Sequence, residues 1–203
     1  LVLLGSCDKI VPGMLMGAAR LDIPCIFLPG GPMISGASFH DKPKADVSTV
    51  EEALGMYQSH QIPLQEVIDL TNTCNPTCGS CNFYGTANTM CCTAEALGMS
   101  LPGAAAIPAA YGQRLQMAMY TGRSIVRLVE MQLTPKKIMT YSAIQNAVKY
   151  VVATGGSTNA VLHLCAIGNE LGFEPQEILK LFNIYGGTIP HIAQIYPATT
   201  RCD

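Results

Sequence analysis

The stretch "LVLLGSCDKIVPGMLMGAARLDIPCIFLPGG", residues 1–31, decides the fold. Residues 1–5 are a short apolar run that reads as a buried strand. A loop, "SCDKIVPG", follows, and then a helix through residues 14–20. Residues 24–28, "PCIFL", read as a second strand, which empties into "PGGPMISG", a stretch too rich in glycine and proline for regular structure. Strand, helix and strand within about thirty residues form a βαβ unit, so the expected class is α/β with a parallel sheet. Ligands of such sheets gather at the carboxyl ends of the strands. Cys7, Asp8 and Lys9 stand at one such end, and the Gly-Pro loop stands at the next.

Downstream the pattern turns helical. "STVEEALGMYQSH" opens with Ser48 and Glu51 at capping-box spacing. Further helices are expected over 64–70, 86–99, 112–132, 141–153, 159–171 and 175–182. No repeat, low-complexity segment or linker interrupts the 203 residues, so a single α/β domain over 1–203 is expected. The chain begins without methionine and closes just after a proline turn, and it reads as a piece of a larger domain.

Composition narrows the function classes. Charged residues are 13% and hydrophobic residues 49%. That charge content is about half the globular average, so further chain or a partner subunit is expected to cover much of the surface. A net charge of −2 leaves no footprint for nucleic acid or an anionic membrane. No apolar run reaches the length of a membrane span. Nine cysteines, an odd count with no signal peptide, argue against a secreted disulfide framework and for a reducing, cytoplasmic setting.

Three of those thiols, Cys74, Cys78 and Cys81, lie in "NTCNPTCGSC" as C-x3-C-x2-C, in a loop marked by Pro76 and Gly79. Radical S-adenosylmethionine enzymes use this spacing. They place it after the first strand of a barrel, usually with an aromatic residue before the last cysteine; here Ser80 stands there, after two strands and two helices. A zinc site wants a fourth ligand, often from a second C-x2-C pair; Cys91 and Cys92 follow, but as neighbours on a helix. An inactive α/β piece and a structural metal-binding module stay open as rivals, separable by anaerobic iron and sulfide analysis.

Longer context gives the loop another meaning. "PTCGSCNFYGTANTMCCTAEALGMSLPG", residues 76–103, resembles the dihydroxy-acid dehydratase and phosphogluconate dehydratase family. "CDKIVPGMLMGAARLDIPCIFLPGGPMISG" from Cys7, "ATGGSTNAVLHL" from Ala153 and "PHIAQIYPAT" from Pro190 are similar to its other segments, in family order. The resemblance implies a three-layer α/β/α domain, followed in the intact enzyme by a β-barrel domain. It implies an iron–sulfur cluster, 2Fe–2S or 4Fe–4S, on three cysteines, with magnesium beside it. Cys7 and Cys81 match two cluster ligands. Asp8 and Lys9, the latter as a carbamate, match magnesium ligands. The remaining cysteine, a further acidic ligand and the serine base fall outside this chain. A homodimer is implied, in the cytoplasm or, in a eukaryote, an organellar matrix.

The chemistry is coherent. Removing water from a 2,3-dihydroxy acid to give a 2-keto acid expels hydroxide, a poor leaving group, so a Lewis acid must polarise the C3 oxygen. The C2 proton becomes acidic once the carboxylate charge is neutralised, which suits a hard ion held by oxygen donors. "PTCGSC" and "AEALGMSLPG" look like the branched-chain enzyme, whereas "CNFYGTANT" looks like the phosphogluconate enzyme, so a sugar acid is the alternative substrate.

The other candidates have plainer readings. Cys74 and Cys78 are assigned to loop packing, and Cys91, Cys92 and Cys165 to the helical core. Met14, Met16, Met90 and Met99 read as core filler. His163 reads as a satisfied core histidine. Thr86 and residues 155–159 serve either as caps or as neighbours of the site.

Overall fold

Two short apolar segments open the structure, a computed structural model in which residues 1–192 are described. Strand β1 (Val2–Gly5) and strand β2 (Ile26–Pro29) pair in parallel, with Leu3 opposite Phe27 and Gly5 opposite Pro29. Phe27 also donates from its backbone N–H to the carbonyl of Met99, which lays residue 99 along the open edge of β2.

Helix α1 (Ile10–Leu21) joins the strands. Its apolar positions Val11, Leu15, Ala18 and Ala19 follow helical spacing and are all buried. The helix starts four residues before the expected position 14. Pro12 and Gly13 made the first turn look like loop, but a proline there gives up no intrahelical hydrogen bond. Asp22, in the left-handed region at φ 46°, ends it.

The remaining helices are α2 (Val47–Gln58), α3 (Leu64–Thr73), α4 (Thr86–Ala96), α5 (Gly112–Glu130), α6 (Pro135–Ile138), α7 (Tyr141–Thr154), α8 (Asn159–Glu170) and α9 (Pro175–Gly186). The expected capping box at Ser48 and Glu51 is replaced by one two residues earlier. Asp46 Oδ1 accepts from the Thr49 N–H at 2.9 Å, and Thr49 Oγ1 accepts from the Asp46 N–H at 3.1 Å. Helix α4 stops before the expected residue 99, because Gly98 takes φ +83° and turns the chain toward β2. Helix α6 has four residues, too few for a periodic signal.

The class is α/β, with a small parallel sheet and helices dominating the second half. Phe27 and Leu3 point into the main core with Val11, Leu15, Met90, Met99, Ile144, Val148, Leu164 and Ile167. Ile26 and Leu28 point the other way and are also buried. Helix α5 packs on both strands and contributes nothing to the main core, so it covers the β2 side of that second face and leaves Val2 and Leu4 of β1 exposed. Layers of helix, sheet and helix result. A second cluster, Ala45, Ala53, Ile62, Val67, Leu70 and Cys74, joins α2 to α3.

Met90, Met99, Cys91 and the partly buried Met14, Met16, Cys92 and Cys165 all pack in or on the main core, as the sequence reading expected. Among the described residues no helix is long and apolar enough to cross a membrane. Residues 193–199 of "PHIAQIYPAT" and Cys202 lie outside the described residues.

Candidate functional site

Each strand of the parallel pair ends in a loop that the other constrains. Gly30 donates its N–H to the Gly5 carbonyl at 3.0 Å, and a Cβ on Gly30 would lie 2.0 Å from Ser6 Oγ. The chain then turns through Ser6 into Cys7, whose carbonyl accepts from the N–H groups of Ile10 and Val11. Cys7 and Asp8 therefore stand at the carboxyl edge of the sheet, immediately before the N-terminus of α1.

The Cys81 loop reaches the same edge by backbone pairing. Met33 N–H donates to the Ser80 carbonyl at 2.8 Å, and Ser80 N–H donates to the Gly31 carbonyl at 2.9 Å. Gly79, at φ +137°, makes this approach possible, since a Cβ there would sit 2.5 Å from the Met33 nitrogen. Asn88, on α4, pins the turn from the other side. Its Nδ2 donates to the carbonyls of Cys81 and Phe83, both at 2.7 Å, and its Oδ1 accepts from Ser80 Oγ at 2.8 Å. Asn82 ties the loop to the Cys74 carbonyl at 2.8 Å.

The three thiols of "NTCNPTCGSC" part company. Cys74 is buried in the α2–α3 cluster, where its sulfur accepts from Asn75 Nδ2 at 3.2 Å. Cys78 is exposed rather than packed, which corrects that half of the expectation. Cys81 is half-buried and close enough to Cys7 and Asp8 to sense both. Burial first, then the negative fields of Cys7 and Asp8, raise its thiol above the ordinary range. All eight cysteines among the described residues are free.

Asp8 and Lys9 complete the cluster. Lys9 Nζ donates to Asp8 Oδ2 at 2.9 Å, with its side chain 80% exposed. Asp8 Oδ1 is out of water and has no hydrogen-bond partner. Facing it at 3.7 Å is His163 Nε2 from α8, also shielded and also unpartnered. His163 is thus not the satisfied core histidine that its apolar stripe implied. Its flanking Leu164 is core, but its ring is aimed at the sheet edge.

Helices α4 and α8 meet beside this cluster. Thr86 Oγ1 and Ser157 Oγ lie 2.8 Å apart, Asn159 Nδ2 donates to Thr86 Oγ1 at 2.9 Å, and the Ser157 N–H donates to Thr89 Oγ1 at 3.1 Å. Gly155, left-handed at φ 64°, ends α7, and Ser157 Oγ accepts from the Asn159 N–H. Residues 155–159 therefore cap helices and also stitch two of them together. The N-termini of α1, α4 and α8 all open near this end, where their positive dipole ends favour anions.

The donor set suits a mixed centre. Two thiols and a carboxylate–lysine pair put soft and hard donors side by side, and a shielded carboxylate oxygen with no partner is costly unless a cation takes it. Among the described residues no three His, Cys, Asp or Glu side chains converge closely enough to hold a metal ion by themselves. His163 and Asn88 are the site residues that sequence reasoning missed. Asn88 carried no spacing signal, and His163 was hidden by its apolar neighbours.

Residues 1–202 match the family described as dihydroxy-acid/6-phosphogluconate dehydratase, N-terminal. A dihydroxy-acid dehydratase of Caldanaerobacter subterraneus subsp. tengcongensis is 46% identical over 198 residues, covering 98% of this chain and 35% of that protein. One from Desulfosudis oleivorans is 46% identical over 200 residues, again 98% and 35%. One from Clostridium pasteurianum is 48% identical over 172 residues, 85% of this chain and 59% of that protein. The chain spans about a third of the length of the first two relatives. On these grounds the chain belongs to the dihydroxy-acid and 6-phosphogluconate dehydratase family.

Proposed function

We propose that the intact protein is a hydro-lyase that dehydrates a branched 2,3-dihydroxy acid to the 2-keto acid used for valine and isoleucine. One observation supports the reading: the pairing of Ser80 with Gly31 and Met33 brings the Cys81 loop to the sheet edge where β1 ends, near enough to Cys7 and Asp8 for both to raise the Cys81 thiol. In this reading Cys7 and Cys81 hold an iron–sulfur cluster, 2Fe–2S or 4Fe–4S, whose third thiolate comes from outside the chain. Asp8 and Lys9 are magnesium ligands. When bound, the cluster supplies an open iron position as Lewis acid for the C3 hydroxyl, and magnesium neutralises the carboxylate side.

The residues of this chain do the holding. Asp8 offers its carboxylate lone pairs, since Oδ1 accepts no hydrogen bond within 3.5 Å. Lys9 as an ammonium has no lone pair for a metal. Its neutral amine adds carbon dioxide to give a carbamate and a proton, and the carbamate oxygens then lie beside Asp8. The exposed Lys9 side chain leaves room for that addition. The N-termini of α4 and α8 favour a carboxylate substrate at the same end. The protein acts as a homodimer in the reducing cytoplasm, or an organellar matrix in a eukaryote, with no nucleic acid or membrane partner. The free thiols among the described residues support the reducing setting.

The family description also covers 6-phosphogluconate, and "CNFYGTANT" favours that substrate as a second reading. The test is anaerobic purification of the full-length protein, iron and sulfide analysis, and detection of keto acid from 2,3-dihydroxyisovalerate and from 6-phosphogluconate. Cluster-dependent turnover of the first is expected. Colourless protein inactive on both would sink the proposal. Lys9→Arg is expected to be about as damaging as Lys9→Ala, because arginine keeps the charge but forms no carbamate. Wild-type turnover in Lys9→Arg would remove Lys9 from the ligand set.

A further inference from the structure

We infer that His163 is a positioning residue for the Asp8 carboxylate, donating from Nε2–H to Oδ1 and so fixing which lone pairs Asp8 turns toward a metal. The inference rests on the reading of Asp8 as a magnesium ligand and adds a residue to it. Asp8 Oδ1 and His163 Nε2 are both removed from water and neither has a hydrogen-bond partner. They face one another at 3.7 Å. Two orphaned, complementary polar atoms that close are a hydrogen bond short of closure. A shift of about 1 Å brings them to bonding distance. The other Asp8 oxygen is already engaged by Lys9 Nζ at 2.9 Å.

The scaffold holds the imidazole where this requires. His163 lies in the second turn of α8, and its side chain is only 17% exposed. Helix α8 packs on α1, whose N-terminus follows Asp8 directly. At the far end of the same pair, Arg20 Nε and an Nη donate to the two oxygens of Glu170, both at 2.6 Å. Contacts at both ends make α1 and α8 run side by side in the same direction and fix the reach of His163 to Asp8. On the other flank, Asn159 and Ser157 tie the start of α8 to Thr86. A carboxylate held by a ring N–H keeps one oxygen oriented for a cation, and partners of this kind govern affinity as well as geometry.

The experiment uses the full-length enzyme with its cluster in place and manganese as a spectroscopic probe of the magnesium position. Manganese affinity is measured by electron paramagnetic resonance for the parent and for His163→Leu, His163→Asn, His163→Gln and Asp8→Asn, with cluster absorption and melting temperature recorded for each. Glutamine places an amide N–H near the position of Nε2, whereas asparagine is too short. Affinity is expected to fall by at least about tenfold in the leucine and asparagine variants and to be largely restored by glutamine, with cluster absorption unchanged. Parent-like affinity in the asparagine variant would overturn the inference. Equal weakening by asparagine and glutamine would do so too, since the donor position would then be immaterial. Should the leucine variant fail to fold, the asparagine and glutamine pair decides alone. If Asp8→Asn binds manganese like the parent, the metal reading itself has failed, whatever His163 does.

Discussion

Cys78 and Cys81 are separated by two residues, yet the backbone sends them to different places. Ser80 pairs with Gly31 and Met33, and this pins the residue after it at the sheet edge. Cys78 precedes the turn at Gly79 and stays in solvent. Spacing alone made the two thiols equivalent, because C-x3-C-x2-C is a statement about chain distance and not about direction. The pairing that separates them is long-range and leaves no local mark. Cys81→Ser in the full-length enzyme is therefore expected to lose the cluster absorption and abolish turnover, since a hydroxyl is a poor ligand for iron. Cys78→Ala is expected to keep both. Loss of the cluster in Cys78→Ala, with Cys81→Ser still coloured, would show that the wrong thiol had been assigned. His163 was read as a satisfied core histidine for a related reason. A polar residue on an apolar helix stripe has the same pattern whether its partner is a core carbonyl or a carboxylate at a site. Only the orphaned Asp8 oxygen distinguishes them.

Elements with strong periodicity were legible, and their ends were not. The βαβ unit was visible because its strands are short, apolar and bounded by Gly and Pro, and it places Cys7 and Asp8 without further help. The start of α2 was misread because Asp46 and Ser48 are both good caps, and the choice is made by which side chain meets an N–H three residues on. Asp46→Ala is expected to cost about 1 kcal/mol in urea unfolding, while Ser48→Ala and Glu51→Ala change stability little. A larger cost at Ser48 than at Asp46 would reverse the assignment. The loop pairing beneath Cys81 was also illegible, although its glycines were in plain view. Gly79 serves two needs, a φ of +137° and contact with the Met33 backbone at a distance no Cβ allows. Gly79→Ala is expected to cost about 1–3 kcal/mol and to weaken iron retention in the full-length enzyme without touching a ligand. Unchanged iron content and unchanged stability would show that the two loops need no such approach.

Across the whole molecule, low charge and many thiols are two sides of one composition. The low charge was read as a surface meant to be covered, and the structure locates apolar exposure on α5, with Leu115 77% exposed, and on β1, with Leu4 62% exposed. The thiols are mostly inside. Burial raises Cys25, Cys74, Cys92 and Cys165 above the ordinary thiol range, and it pushes Cys91 up to about 12. Cys91 lies in the main core with its sulfur 3.9 Å from the Ser6 carbonyl, and its neighbour Cys92 adds to the burial effect. A thiol whose folded value is raised is held protonated in the native state and ionises more readily in the unfolded chain. The native state then binds more protons, so stability falls as pH rises. The contribution is fully present below about 9, the ordinary value, and is lost progressively as pH climbs from there toward about 12. Urea midpoints measured under strong reductant are therefore expected to fall between pH 8 and pH 10.5. Cys91→Ala is expected to start lower, by roughly 1 kcal/mol or more for the cavity it leaves, but to show a shallower decline. A parent midpoint that is flat or rising over that range would contradict burial as the cause. An unchanged slope in Cys91→Ala would move the effect to the other buried thiols or to Tyr84 and Tyr150, whose hydroxyls are raised by the same burial.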